Sequence, residues 1–172
     1  MQDLVDYLDS AHSCAQMSLV DRTWHRNSGI PNESGWYFIS TNAPLEVIAA
    51  QSLASSHYQK ARSSKLVPVR NYDLQARASR CTPNLKKYFS ERAVYSGLAS
   101  ELRTRAKEHC FPDPGTGALA LANYDALRPY EWLFHFVTLK RFMADRECNE
   151  FVLRLGEQLW RAKYGWPVLC AH

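Results

Sequence analysis

The chain is 172 residues long, 46% apolar and 22% charged, with a formal net charge of +4. That length suits one domain burying a core of its own without disulfides or a structural metal. The composition excludes disordered and fibrous classes, and no apolar run approaches the ~18 residues that a membrane span needs. Asp3 and Asp6 stand where a secretory signal would be basic and then apolar, which predicts a cytoplasmic protein. Cys14, Cys81, Cys110, Cys148 and Cys170 are widely scattered and none makes a C-x-x-C pair, so they read as reduced thiols. The charge is segregated: residues 60–109 hold twelve Lys/Arg against four Asp/Glu, a net +8, and the remainder sums to −4. Such a block is either a solvated face or the footprint of a polyanion partner.

In chain order, Leu4, Leu8, Ala11 and Ala15 recur at helical spacing and predict a helix over residues 4–20. A cluster of turn formers, 27–35, then delivers the chain into a strand, Trp36 to Ser40. Pro44 to Leu53 suits a short helix, and Ser55 to Arg80 reads as basic and partly irregular. Thr82-Pro83 carries a helix-start signal for Asn84 to Phe89. Ala93 to Gly97 reads as a strand, with Ser100 as the cap of a helix reaching Cys110. A loop at 111–117, a short helix over Ala118 to Leu127 and a strand from Trp132 to Val137 follow. The last helix starts near Asp145, carries Phe151, Val152, Leu155 and Leu159 on one stripe, and stops at Gly165 and Pro167. The mixture predicts an α/β or α+β class.

Three short motifs carry chemistry. Tyr95-Ser96-Gly97 precedes Arg105 by ten residues and His109 by fourteen, counted from the tyrosine. On a helix Arg105 and His109 are i, i+4 neighbours, so a phenol, a guanidinium and an imidazole converge at a strand-to-helix junction, a set able to hold a phosphate and move a proton. Upstream lies Gly35-Trp36-Tyr37, and downstream Leu155-Gly156-Glu157 on the last helix, ahead of Pro167. Other candidates are weaker. His135 alternates with Leu133 and Val137 as core histidines do, Glu131 and Glu150 lack the Leu-Gly-Glu context, and Asp113 to Gly117 lacks the Gly-Lys-Ser/Thr of a phosphate loop.

In its order of Gly-x-Tyr, Tyr-x-Gly with Arg and His, and a late helical Glu, the chain resembles the GIY-YIG nuclease family. The Leu-Gly-Glu form is most similar to its restriction-endonuclease branch. Two departures stand out: Leu98 sits where some members carry Lys, and Cys170 stands three residues after Pro167, where the family has Asn.

The resemblance implies a single domain over 1–172: a three-stranded antiparallel sheet flanked by helices, with 1–34 as N-terminal helix and lead-in and 41–91 as a basic insertion between the first two core strands. It implies a metal-dependent DNA endonuclease in which Glu157 holds Mg²⁺ (or Mn²⁺) and Tyr37 is the general base. His109 or a nearby cation would lower the pKa of Tyr37 or take its proton, Tyr95 would position water or phosphate, and Arg105 would neutralise charge on the phosphorane. Lys60, Arg62, Lys65, Arg70, Arg77, Arg80, Lys86, Lys87, Arg92 and Arg103 would grip double-stranded DNA. No membrane is expected, while a homodimer or an inhibitory protein partner stays open. The same fold kept only for DNA binding, and a nuclease toxin, are the alternatives.

Overall fold

The computed structural model describes residues 2–52, 57–59, 66–68, 73–79, 93–113, 116–138 and 150–170. Its centre is a four-stranded antiparallel sheet in the order β1-β6-β2-β5, built from β1 (Ser13–Gln16), β2 (Gly35–Thr41), β5 (Ala93–Ala99) and β6 (Trp132–Thr138). Three of these are the strands expected from sequence. The fourth corrects the three-stranded expectation and comes from inside the stretch expected to be helical.

That helix is shorter than expected. α1 covers Gln2–Ser10, and β1 then pairs with β6, Ala15 opposite Phe134. The reason lies in a change of period. Leu4 and Leu8 are buried at helical spacing, but Ala15, Met17 and Leu19 are buried at spacing two, the repeat of an extended chain.

Between β2 and β5 lie α2 (Leu45–Ala49), a two-stranded pair of β3 (His57–Gln59) with β4 (Leu66–Pro68), and α3 (Leu74–Ser79). The stretch read as irregular thus contains ordered pieces, and the helix expected over Asn84 to Phe89 lies outside the described residues. α4 (Leu102–Cys110) follows β5, and α5 spans Glu150–Tyr164. In place of a helix over Ala118 to Leu127 there are two 3-10 turns, Leu121–Asn123 and Asp125–Leu127.

The two sheet faces bury different sets. Tyr37, Ile39, Phe134 and Phe136 face the larger core with Leu102 and Ala106 of α4. Trp36 and Val137 face a second core with Leu4 and Leu8 of α1 and Leu153 of α5. α5 lies close on this side. The Trp36 indole N–H donates to Leu153 O at 2.6 Å, and a Cβ on Gly156 would lie 2.4 Å from the nearest indole atoms. Only glycine lets the helix approach this far.

Candidate active site

The β5-to-α4 junction sets the site. Ser100 is not the cap of α4. Glu101 holds that place without a side-chain cap bond, and the first amides find partners across the fold: Leu102 N–H donates to Glu33 O at 2.9 Å and Arg103 N–H to Pro31 O at 3.2 Å. The turn-rich lead-in therefore satisfies the helix terminus and fixes the angle at which Arg105 and His109 leave it.

Tyr37, Tyr95, Arg105 and His109 do come together. Tyr37 stacks on Tyr95 with ring centroids 6.1 Å apart and on Phe134 at 4.9 Å, and Tyr95 lies 4.8 Å from the His109 ring. Gly97 sits opposite Tyr37 in the ladder, and a Cβ there would lie 2.6 Å from the Tyr37 hydroxyl oxygen. The glycine of Tyr-x-Gly is thus the space that the other tyrosine fills.

The hydrogen bonds assign protons. Leu119 N–H donates to His109 Nδ1 at 3.3 Å, so Nδ1 carries no hydrogen and Nε2 does; that N–H points at the Tyr37 oxygen, 2.9 Å away. Arg105 Nε–H donates to the same oxygen at 3.1 Å. Both lone pairs of Tyr37 are occupied. Burial, followed by the neighbouring Tyr95, raises the Tyr37 pKa well above its ordinary value, and Arg105 pulls it back only in part. Burial likewise holds His109 well below its ordinary value, hence neutral. At neutral pH Tyr37 is a phenol, and His109 is a donor to it rather than an acceptor of its proton. Of the two groups expected to act on Tyr37, the Arg105 cation lowers its pKa against the larger effect of burial, and His109 donates to its oxygen.

Arg105 is held on three sides. Besides Tyr37, its Nη1 donates to Glu108 Oε2 at 2.9 Å and its Nη2 to Gly117 O at 2.7 Å. Three of its five N–H groups are engaged, which leaves one on each Nη. Its outer side lines a groove of about 480 Å³ shared with Ser100, Glu101, Thr104 and Glu108. Gly117 and Leu119 were not readable as site residues, because both act through backbone atoms.

Glu157 lines a recess of about 20 Å³ together with Tyr37, Ser96 and Gly97. It follows Gly156 on α5, on the Trp36 side of the sheet, and its Oε1 accepts from Arg161 Nη2 at 2.7 Å. Burial raises its pKa, and Arg161 with Arg154 works the other way. Arg161 also donates to Ser96 Oγ at 2.9 Å and Ser96 O at 3.0 Å. Its i, i+4 spacing from Glu157 was legible in the sequence. Cys170 closes this network: Ser96 N–H donates to its Sγ at 3.2 Å, and the thiol donates to Ser96 O at 3.4 Å. Burial, its largest influence, raises the Cys170 pKa, so it stays a thiol.

A resident Mg²⁺ or Mn²⁺ fits poorly at Glu157. Such ions are held by one or two carboxylates with water and substrate oxygens. Here the single carboxylate is already neutralised by a guanidinium, and among the described residues no three His, Cys, Asp or Glu gather as a metal-binding group.

Eight of the expected DNA contacts, Lys60, Arg62, Lys65, Arg70, Arg80, Lys86, Lys87 and Arg92, lie outside the described residues. Arg77 is only 7% exposed: it donates from Nη1 to Leu169 O and lies 5.8 Å over the Tyr95 ring, so it belongs to the site's inner wall rather than to a solvated basic face. Arg103 donates from Nε to Ile30 O at 2.7 Å, bracing the lead-in. Among the described residues no helix is long and apolar enough to cross a membrane. No protein-family model matches the chain, and neither a curated protein nor a solved structure shows significant similarity to it.

Proposed function

We propose that the chain is a DNA endonuclease of the GIY-YIG type that acts on phosphodiesters at the Tyr37–Tyr95–Arg105–His109 cluster. The observation that carries this reading is the Arg105 guanidinium, oriented by Tyr37 Oη, Gly117 O and its ion pair with Glu108, and retaining an N–H on each Nη. A permanent cation fixed before substrate arrives stabilises charge that develops on a phosphorane without reorganising at the moment of reaction. Tyr37 and His109 serve as its support: the imidazole N–H and the guanidinium N–H share one phenol oxygen, which sets the angle between them. The net +8 over residues 60–109 supplies the attraction for a polyanion.

Nicking of supercoiled DNA, with Mg²⁺, Mn²⁺ or neither, tests this reading. Wild type is expected to relax the plasmid in at least one cation, and Arg105→Ala to be slower by ~10²-fold or more. Equal rates for the two proteins would remove Arg105 from the chemistry. A second reading, the fold kept for DNA binding without cleavage, is favoured by one observation: Glu157 and Cys170 are both spent on internal partners, Arg161 and Ser96. Salt-sensitive DNA binding by a protein inert in every cation would select it.

A further inference from the structure

Phosphodiester hydrolysis needs a group that takes the proton of the attacking water. Tyr37 and His109 are both committed elsewhere. The Tyr37 oxygen already accepts from His109 and from Arg105, and the His109 ring spends Nε2–H on that oxygen and Nδ1 on Leu119 N–H. Neither they nor Tyr95 line the groove of about 480 Å³ that the outer side of Arg105 faces. Among the described residues, the ionisable side chains lining that groove are Glu101, Arg105 and Glu108.

The two carboxylates differ in what holds them. Glu101 is exposed, and its Oε2 accepts from Thr104 Oγ1 at 2.8 Å. Glu108 lies one turn beyond Arg105 on α4, and its Oε2 accepts from Arg105 Nη1 at 2.9 Å. That pair is drawn in but still reachable, with the Arg105 side chain 21% exposed and that of Glu108 17%. No further hydrogen bond holds Glu108 Oε1 among the described residues.

We propose that Glu108 is the general base of the reaction, taking a proton from a water lodged between its carboxylate and a phosphate held on Arg105. This role rests on the nuclease reading above and supplies the proton acceptor for it. Arg105 Nη1 carries two N–H groups about 120° apart in the guanidinium plane. With Glu108 Oε2 on one and a phosphate oxygen at ~2.9 Å on the other, the two oxygens lie about 5 Å apart. That gap admits one water, hydrogen-bonded to the carboxylate and facing the phosphorus. The water oxygen forms the new bond to phosphorus while one of its protons passes to Glu108 Oε1. The bond from phosphorus to one sugar oxygen breaks, and that oxygen leaves with the electron pair and takes a proton from solvent. Glu108 returns its proton to solvent, and Arg105 stays charged throughout.

Nicking of supercoiled DNA by the full chain, with Mg²⁺, Mn²⁺ or neither, tests this role. Glu108→Gln keeps an oxygen for Arg105 Nη1 but is no base, and it is expected to nick ~10²-fold more slowly or worse. Its affinity for duplex DNA is expected not to fall, since a negative charge is lost. Glu108→Ala is expected to regain rate in sodium formate, whose anion supplies the missing carboxylate. Glu108→Gln nicking at the wild-type rate would overturn the role, and so would a slow Glu108→Ala that formate leaves slow, because Glu108 would then only brace Arg105. On wild type alone, whatever the variants' folding, a rate that climbs tenfold per pH unit up to about pH 10, the ordinary range of a phenol, would make a tyrosine the base instead. Arg105→Ala separates the two readings. A slow Arg105→Ala beside a fast Glu108→Gln discards the base and keeps the nuclease, while wild type inert in every cation discards both.

Discussion

A single oxygen, Tyr37 Oη, ties together the groups that the two tyrosine motifs supply, and its surroundings make a definite pH prediction. His109 and His135 both have pKa values below the ordinary 6.5, in each case chiefly through burial. The unfolded chain therefore takes up protons at a higher pH than the folded one, and stability falls as pH drops below about 6.5. Each imidazole contributes a slope of at most ~1.4 kcal/mol per pH unit. Glu157, raised above 4.5, contributes with the opposite sign at the lower end of this range. Urea unfolding is expected to give a plateau above pH 7 and a loss of stability by pH 5.5. An unfolding free energy that is flat between pH 7.5 and 5.5 would mean that the imidazoles are not held neutral. Tyr37→Phe adds a separate effect, since it leaves the His109 and Arg105 donors without their shared acceptor. A loss of ~1–3 kcal/mol on urea unfolding, the penalty for a buried orphaned group, is expected. Unchanged stability would show that water replaces the phenol oxygen.

At the scale of elements, the close approach of α5 to β2 makes Gly156 informative. Two effects compete in Gly156→Ala. Alanine is the better helix former by ~1 kcal/mol, while a methyl driven into Trp36 costs ~1–3 kcal/mol as overpacking. Trp36 cannot swing aside without breaking its bond to Leu153 O, so overpacking is expected to win and the denaturation midpoint to fall. A rise would show that the helix can retreat from the sheet. The same contact explains what the sequence could and could not reveal. The strands β2, β5 and β6 were legible because aromatic and β-branched residues mark them, and Arg105 with His109 were legible as an i, i+4 pair. Trp36 and Tyr37 are adjacent and point to opposite faces, and no local spacing says which face a helix more than 100 residues later will cover. The caps of α4 were illegible for a related reason, as their acceptors lie about 70 residues upstream, at Pro31 and Glu33.

Over the whole molecule, the positive charge of residues 60–109 sets how strongly salt opposes binding to duplex DNA. Replacing Lys86 and Lys87 together with Gln is expected to reduce the slope of log K against log salt by about 1.8 if both meet phosphates. An unchanged slope would assign them to solvent. The sheet's outer strands bear on another property of the molecule. β1 is four residues long and largely exposed, a poor template for pairing. β5 is seven residues long, and the segment 168–170 lies along it: Leu169 N–H donates to Val94 O at 2.8 Å, and Cys170 occupies both backbone groups of Ser96. Leu169 is wholly buried in doing so. Residues 168–170 thus cover the outer edge of β5 at Val94 and Ser96, and such cover opposes pairing with another strand. A chain ending at residue 167 is expected to elute as concentration-dependent oligomers in size-exclusion chromatography, its bare β5 edge pairing with that of a second copy.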